Sequence, residues 1–257
     1  MPNLYNKKLA QISLSTSCKA IILGSILGDG CLKFYKPYKN ARFWIRHSIV
    51  QKQYWEWKIS QLDEIRTQKS ERIQSPHDLS RKKKLFFQSA ALEELTQIYK
   101  RTYKKNILQI KRTWLNHMTP LSLAIWWLDD GSIIKNGRNG VLCTDAFTKK
   151  ELKILKRYFI IVWNVDVRIG QIHRMYKGEY RSVFRLYFNT TSLKKFFRII
   201  MSSTPLPSMI SKYCILYKDA ELQQRWISEM ILAFPMCEKE IMETIRQRKM
   251  QLKYFRK

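Results

Sequence analysis

Hydrophobic and polar positions along the chain change period several times, and the changes mark elements. Ala20–Leu27 is an almost unbroken apolar run closing on Gly28-Asp29-Gly30, and Leu121–Leu128 closes on Asp-Asp-Gly131. Both read as buried helices. Ala41–Ile49 alternates, with Arg42, Trp44 and Arg46 on one side and Phe43 and Ile45 on the other, which predicts a strand. Gln51–Ile65 predicts a helix, Arg81–Ser89 a strand and Leu92–Tyr99 a second helix. Further along, Val141–Phe147 is strand-like, and Thr148-Lys-Lys-Glu151 is a capping box opening a helix that runs to Trp163. Val165–His173 and Ser182–Asn189 predict a hairpin, and Leu193–Met201 a helix. In the later strand Ser182, Phe184, Leu186 and Phe188 face inward, while Arg181, Val183, Arg185 and Tyr187 face outward.

The pattern repeats. Asp29 and Asp130 lie 101 residues apart (130 − 29), and the same offset carries Phe86-Phe87-Gln88-Ser89 onto Tyr187-Phe188-Asn189-Thr190, and Leu92 onto Leu193. Two distant agreements at one offset indicate an internal duplication with the period of a subdomain, not of a solenoid repeat. The expected chain is α+β: two α-β-β-α-β-β-α units over residues 19–115 and 116–218, a basic arm over 1–18 and a basic helical tail over 219–257. In that tail Glu221–Phe234 reads as an amphipathic helix, Pro235 breaks it, and Glu238–Leu252 resumes. Arg246, Arg248, Lys249, Lys253, Arg256 and Lys257 load its end with charge, so a solvated tail that strengthens non-specific binding is expected.

Charge narrows the function. There are 48 Lys+Arg against 20 Asp+Glu, a net charge of +28, in a chain that is 45% hydrophobic. That composition builds a core and excludes disorder. The field suits a polyanion, nucleic acid before an anionic membrane, and disfavours a small-metabolite enzyme. No apolar run approaches the roughly 20 residues needed to span a bilayer. Cys18, Cys31, Cys143, Cys214 and Cys237 are scattered without a CxxC pair, so neither a disulfide framework nor a zinc site is expected, and a reducing compartment fits. No acid precedes Asp29, and the leader carries Lys7, Lys8 and Lys19, which a transit peptide and an unstructured basic arm explain equally well.

Asp29 and Asp130 each stand at the C-terminal end of an apolar helix before a glycine suited to the turn. The helix dipole disfavours negative charge there. Two such carboxylates brought together by a pseudo-twofold axis repel, and a divalent cation removes that cost. Hard oxygen ligands favour Mg²⁺, or Mn²⁺. Beside phosphate, those are the parts of phosphodiester hydrolysis. Gly24 and Gly28 have the small-xxx-small spacing that lets helix backbones approach closely. In the second run Ala124 is small but Ile125 stands where Gly24 does, so the helix pair is expected to pack asymmetrically. Trp55, Trp57, Trp126 and Trp127 are expected in the core.

The segments Ile22–Gly30 and Leu123–Gly131 resemble the paired motifs of the LAGLIDADG homing endonuclease family in its single-chain, two-motif form. The stretch Thr119-Pro-Leu-Ser-Leu-Ala-Ile-Trp-Trp-Leu-Asp-Asp-Gly131 is similar to intron-encoded organellar members, and the resemblance spans about residues 15–220. It implies a monomer with internal pseudo-symmetry, encoded and acting in a mitochondrion or chloroplast. Its saddle-shaped antiparallel sheets would sit in the major groove of a long asymmetric site on double-stranded DNA. Intron homing by that fold is double-strand cleavage across the minor groove that leaves short 3′ overhangs, with Asp29 and Asp130 binding the metals.

The family's basic residue near each scissile phosphate falls on Lys212 in Pro207-Ser-Met-Ile-Ser-Lys212. In the first half Lys111 has the same 82-residue distance from its aspartate (111 − 29 and 212 − 130). Spacing back from Thr119-Pro120, however, points nearer Lys105. On the groove-facing strands Arg42, Arg46, Arg168, Gln171, Arg174, Arg181 and Arg185 are candidates for base readout. Arg81–Lys84 suits phosphate contacts. His47 and His173 are candidates for general bases, but scattered histidines in a basic protein are more often surface residues or DNA contacts, and that is expected of both. The alternative is an intron maturase: the same fold acting as a splicing cofactor on intron RNA, with dispensable carboxylates.

Overall fold

A computed structural model of the chain describes residues 9, 11–35, 37–75, 83–134, 137–176, 178–204 and 206–255. Lys7, Lys8, Arg81, Lys82, Arg256 and Lys257, parts of the expected arm, phosphate contacts and tail, lie outside the described residues. The chain divides into two units, Met1–Asp129 and Asp130–Lys257.

The first unit follows the expected order: α1 (Thr16–Ser25), β1 (Gly30–Lys33), β2 (Arg42–Ser48), α2 (Lys52–Ser60), β3 (Glu71–Gln74), β4 (Lys84–Gln88) and α3 (Glu93–Thr102). A two-stranded hairpin, β5 (Tyr103–Lys104) and β6 (Ile107–Leu108), and a short helix α4 (Arg112–Leu115) lead into α5 (Pro120–Asp130). The four-stranded sheet runs β1-β2-β4-β3 and is antiparallel throughout. Alternation on β2 holds: Phe43, Ile45 and His47 are buried, while Arg46 is exposed. Ser15 caps α1 by accepting from the Cys18 amide. The helix expected over Gln51–Ile65 stops at Ser60 and ends in a 3-10 turn, Asp63–Ile65. β1 and β3, four residues each at the sheet edges, are too short for alternation to announce.

The motif helices approach closely within this unit. A Cβ at Gly24 would lie 2.3 Å from the Ser122 carbonyl and 2.8 Å from the Ile125 Cβ. One at Gly28 would lie 2.5 Å from the Asp129 Cβ. Glycine is therefore a steric requirement at both positions, and Ile125 fills the space that Gly24 leaves, the asymmetry expected from the sequence.

The second unit repeats the order: β7 (Gly131–Ile133), β8 (Gly140–Leu142), α6 (Lys149–Trp163), β9 (Arg168–Tyr176), β10 (Glu179–Phe188) and α7 (Thr190–Ile200). Its sheet runs β7-β8-β10-β9. The capping box of Thr148 and Glu151 is formed. Phe159 meets Phe188 edge-on at 5.7 Å, and Phe188 stacks on Phe196 at 5.1 Å, so the β10 inward face is core. The offset of 101 holds in the strands, where Phe87 and Phe188 are both buried, but not in the helices that follow. It carries Glu93, the first residue of α3, onto Lys194, whereas α7 already begins at Thr190.

Two helices close the chain, α8 (Ala220–Ala233) and α9 (Glu238–Gln251), joined by a 3-10 turn at Pro235–Cys237. They correct the expectation of a solvated tail. Trp226, Ile227 and Met230 on α8 and Ile241 and Ile245 on α9 are buried in the second unit. Among the described residues no helix is long and apolar enough to cross a membrane.

Candidate active site

Asp29 is the last residue of the turn that follows α1, with its side chain 40% exposed. Beneath it is a buried network. The Lys58 ammonium on α2 donates to both Asp129 carboxylate oxygens, at 3.0 and 2.9 Å, and both side chains are fully shielded from solvent. The Tyr54 hydroxyl donates to the same carboxylate at 2.7 Å, and the Asp29 amide donates to it at 3.2 Å. Lys58 also lies 3.4 Å from His47 Nε2. An ammonium can only donate, so Nε2 accepts and the ring proton sits on Nδ1. That Nδ1 faces the Asp29 carboxylate at 3.4 Å.

Asp29, His47 and Asp129 present one donor atom each within 4.8 Å of one another. Asp129 is spent: its oxygens already serve an ammonium, a phenol and an amide. Asp29 is different. Its exposed carboxylate opens on a cavity of about 220 Å³ that also touches Cys31, Lys33, Trp44 and Arg46. One or two carboxylates with water and substrate phosphate are what Mg²⁺ prefers, so Asp29 fits a hard divalent cation.

The outward face of the first sheet is cationic and aromatic. Lys33 lies 4.3 Å over the Trp44 ring, Arg42 4.2 Å over Tyr38, and Arg46 and Arg72 5.6 and 4.3 Å over Phe86. Register explains the last pair, since Phe86 stands opposite both Arg46 and Arg72. In the second sheet Arg168, Arg174, Arg181 and Arg185 share one face, with Arg174 directly opposite Arg181. Asp145 organises two of them, pairing with Arg185 at 2.6 Å and Arg174 at 2.7 Å. Hydrogen bonds from Arg185 above all hold the Asp145 carboxyl below the usual range. Gln171 is not brought to that face; opposite Phe184, its amide donates to Ser182 on the side that carries Leu186.

Asp130 ends α5, and its carbonyl accepts from Cys143. Lys212 closes the 3-10 turn Pro207–Lys212 and donates to the carbonyl of Gly131, the next residue after Asp130, at 2.7 Å. Lys111 is placed elsewhere. It lines a cavity of about 340 Å³ with Arg101, Trp114 and His117, and His117 also borders a cavity with Thr16 and Lys19 at the start of α1. Asp29 follows the other end of that helix. Lys105 occupies the β5–β6 turn with φ 49°, and the neighbouring Tyr103 hydroxyl accepts from the Leu32 amide, just beyond Asp29.

Sequence reasoning missed the Lys58–Asp129 pair and Arg72. His47, expected at the surface, is 2% exposed because it continues the inward parity of Phe43 and Ile45. A second carboxylate where the first motif has Gly28 was the available signal.

Comparisons with known proteins bear on the fold and the family. The chain is 28% identical over 196 residues to the protein RecA of Mycobacterium gastri, covering 70% of this chain and 43% of that one. It thus spans less than half the length of this relative. It is 29% identical over 166 residues to the cytochrome b mRNA maturase bI2 of Saccharomyces cerevisiae, covering 60% and 39%. A probable intron-encoded endonuclease 1 of Wickerhamomyces canadensis is 28% identical over 166 residues, covering 61% and 70%. The homing endonuclease I-WcaI, solved on its DNA recognition sequence, shares the fold at TM-score 0.66 and 22% identity, covering 85% of this chain and 96% of that one. The model of the LAGLIDADG DNA endonuclease family matches residues 19–196, and with two motif helices each followed by the expected sheet, this chain belongs to that family.

Proposed function

We propose that the chain is a site-specific endonuclease that makes a double-strand break in DNA during intron homing. The observation that carries this reading is Asp29: an exposed acid at the end of a motif helix, opening on the same cavity as Lys33 and Arg46. Arg42, Arg46 and Arg72 in one unit, and Arg168, Arg174, Arg181 and Arg185 in the other, bind the duplex through its grooves and phosphates. Asp29 in the first unit and Asp130 in the second would each hold a divalent cation, Mg²⁺ or Mn²⁺. Bound there, the metal would supply Lewis-acid polarisation of the phosphodiester and a more acidic water. His47 orients the Asp29 carboxylate from below, and Lys212 supplies positive charge beside the second-motif end. In the first unit Lys105 takes that role rather than Lys111, a reading supported by the hydrogen bond from the Leu32 amide to the Tyr103 hydroxyl, two residues before Lys105. The chain acts as a monomer on a long asymmetric site. The intron-encoded and maturase relatives support an organellar, intron-encoded origin.

A duplex recovered from a randomised library by binding in Ca²⁺ tests the reading. With Mg²⁺ the wild type should cut both strands, and Asp29→Asn or Asp130→Asn should abolish cutting. Full cutting by the double variant would end the assignment. The yeast relative favours a second reading, a splicing cofactor for intron RNA. There the double aspartate variant would still promote splicing.

A further inference from the structure

We propose that the C-terminal helices are a positioning element for Lys212, acting through Arg248. This rests on Lys212 being the phosphate-side cation of the second unit. Its segment is a 3-10 turn followed by irregular chain, packed among Met209, Ile210, Tyr213 and Ile215, all buried. Buried irregular backbone must find hydrogen-bond partners, and here α8 and α9 supply them. Arg248 donates to the carbonyls of Ser211 and Cys214, the latter at 3.5 Å. The Trp226 indole donates to the Tyr213 carbonyl at 3.1 Å. Gln223 donates to the Ile215 carbonyl at 3.2 Å and accepts from the Tyr217 amide at 2.9 Å.

The two carbonyls that Arg248 holds bracket Lys212. The turn is thus fixed from behind while the Lys212 ammonium reaches the Gly131 carbonyl in front. Helical spacing puts the clamp there: Ile241 and Ile245 are buried, and Arg248 continues their stripe. Burial pushes the Arg248 guanidinium below its usual pKa, the opposite of a solvated tail charge. Arg246 on the same helix is such a charge, exposed and paired with Glu243.

The test uses the full chain and the selected duplex, with nicking of each strand followed separately. Arg248→Met keeps the aliphatic stem and removes the donors. It should lower kcat on one strand by about tenfold to a hundredfold, with KM and binding in Ca²⁺ unchanged. Arg248→Lys should recover part of the loss. In a Lys212→Met background, Arg248→Met should add nothing. Acetylation of the Lys212 amine, read on its peptide by mass spectrometry without DNA, should speed up in Arg248→Met. Equal kcat losses in both backgrounds, or unchanged Lys212 acetylation in a folded Arg248→Met chain, would overturn the proposal. If the wild type cuts no duplex, the nuclease reading fails, and acetylation still decides the positioning.

Discussion

Lys58 and Asp129, 71 residues apart in sequence, form an ion pair in which neither side chain touches solvent. Removing one partner leaves a charge buried without its counterion, the most expensive outcome for such a pair. Lys58→Met should destabilise the chain by about 3–5 kcal/mol. Adding Asp129→Asn should restore part of that loss, because the stranded charge disappears. Denaturant melts of the three variants check this, and equal stability of Lys58→Met and wild type would refute it.

Gly24 is a second point where small changes act strongly. A methyl group there meets the Ser122 backbone carbonyl at 2.3 Å, and backbone cannot rotate away. Gly24→Ala should cost about 1–3 kcal/mol, the usual range for overpacking. It should also lower cutting more than DNA binding, since it displaces the helix that delivers Asp29. Thermal melts and single-turnover cleavage measure the two effects.

Asp145 gives a pH signature. Its hydrogen bonds to Arg185 and Arg174 lower its pKa in the folded chain. A depressed carboxylate contributes stability that is complete above the ordinary value of about 4 and is lost as pH falls through the folded value. The wild type should therefore exceed Asp145→Asn in stability near neutrality, and the gap should close on acidification below about pH 4. A gap that does not vary with pH would show that the pair contributes nothing through ionisation.

The two first-half lysines separate cleanly. Lys105→Ala should reduce cutting of one strand by about a hundredfold, the scale for losing one charge-stabilising donor. Lys111→Ala should leave cutting intact, because its cavity lies toward the start of α1. The reverse result would restore the constant-offset argument.

Local chemistry was legible: the capping box at Thr148, the alternation of Phe43 and Ile45 against Arg42 and Arg46, and both motif helices, although only Asp130 ends its helix while Asp29 closes the turn after Ser25. The strand offset was legible too, because Phe87 and Phe188 fill matching core positions. It does not hold in the helices that follow, where α7 begins earlier than the offset carries α3, so a spacing counted across them is a weaker guide to the first-half lysine. The Lys58–Asp129 pair was invisible for another reason. A buried charge follows no period and depends on a partner far along the chain. Arg248 looked like one more tail cation because charge counting ignores the carbonyls that a guanidinium can satisfy.

The single-sided placement of Asp129 has a consequence for the two motifs. The first motif carries Gly28 at the corresponding position, so its helix has no carboxylate to offer. A helix built on the first motif in place of the second would leave the buried Lys58 ammonium without the carboxylate that neutralises it. The two motifs are therefore no longer interchangeable at this position: one supplies the glycine that lets the helices close, the other the counterion that the buried ammonium requires.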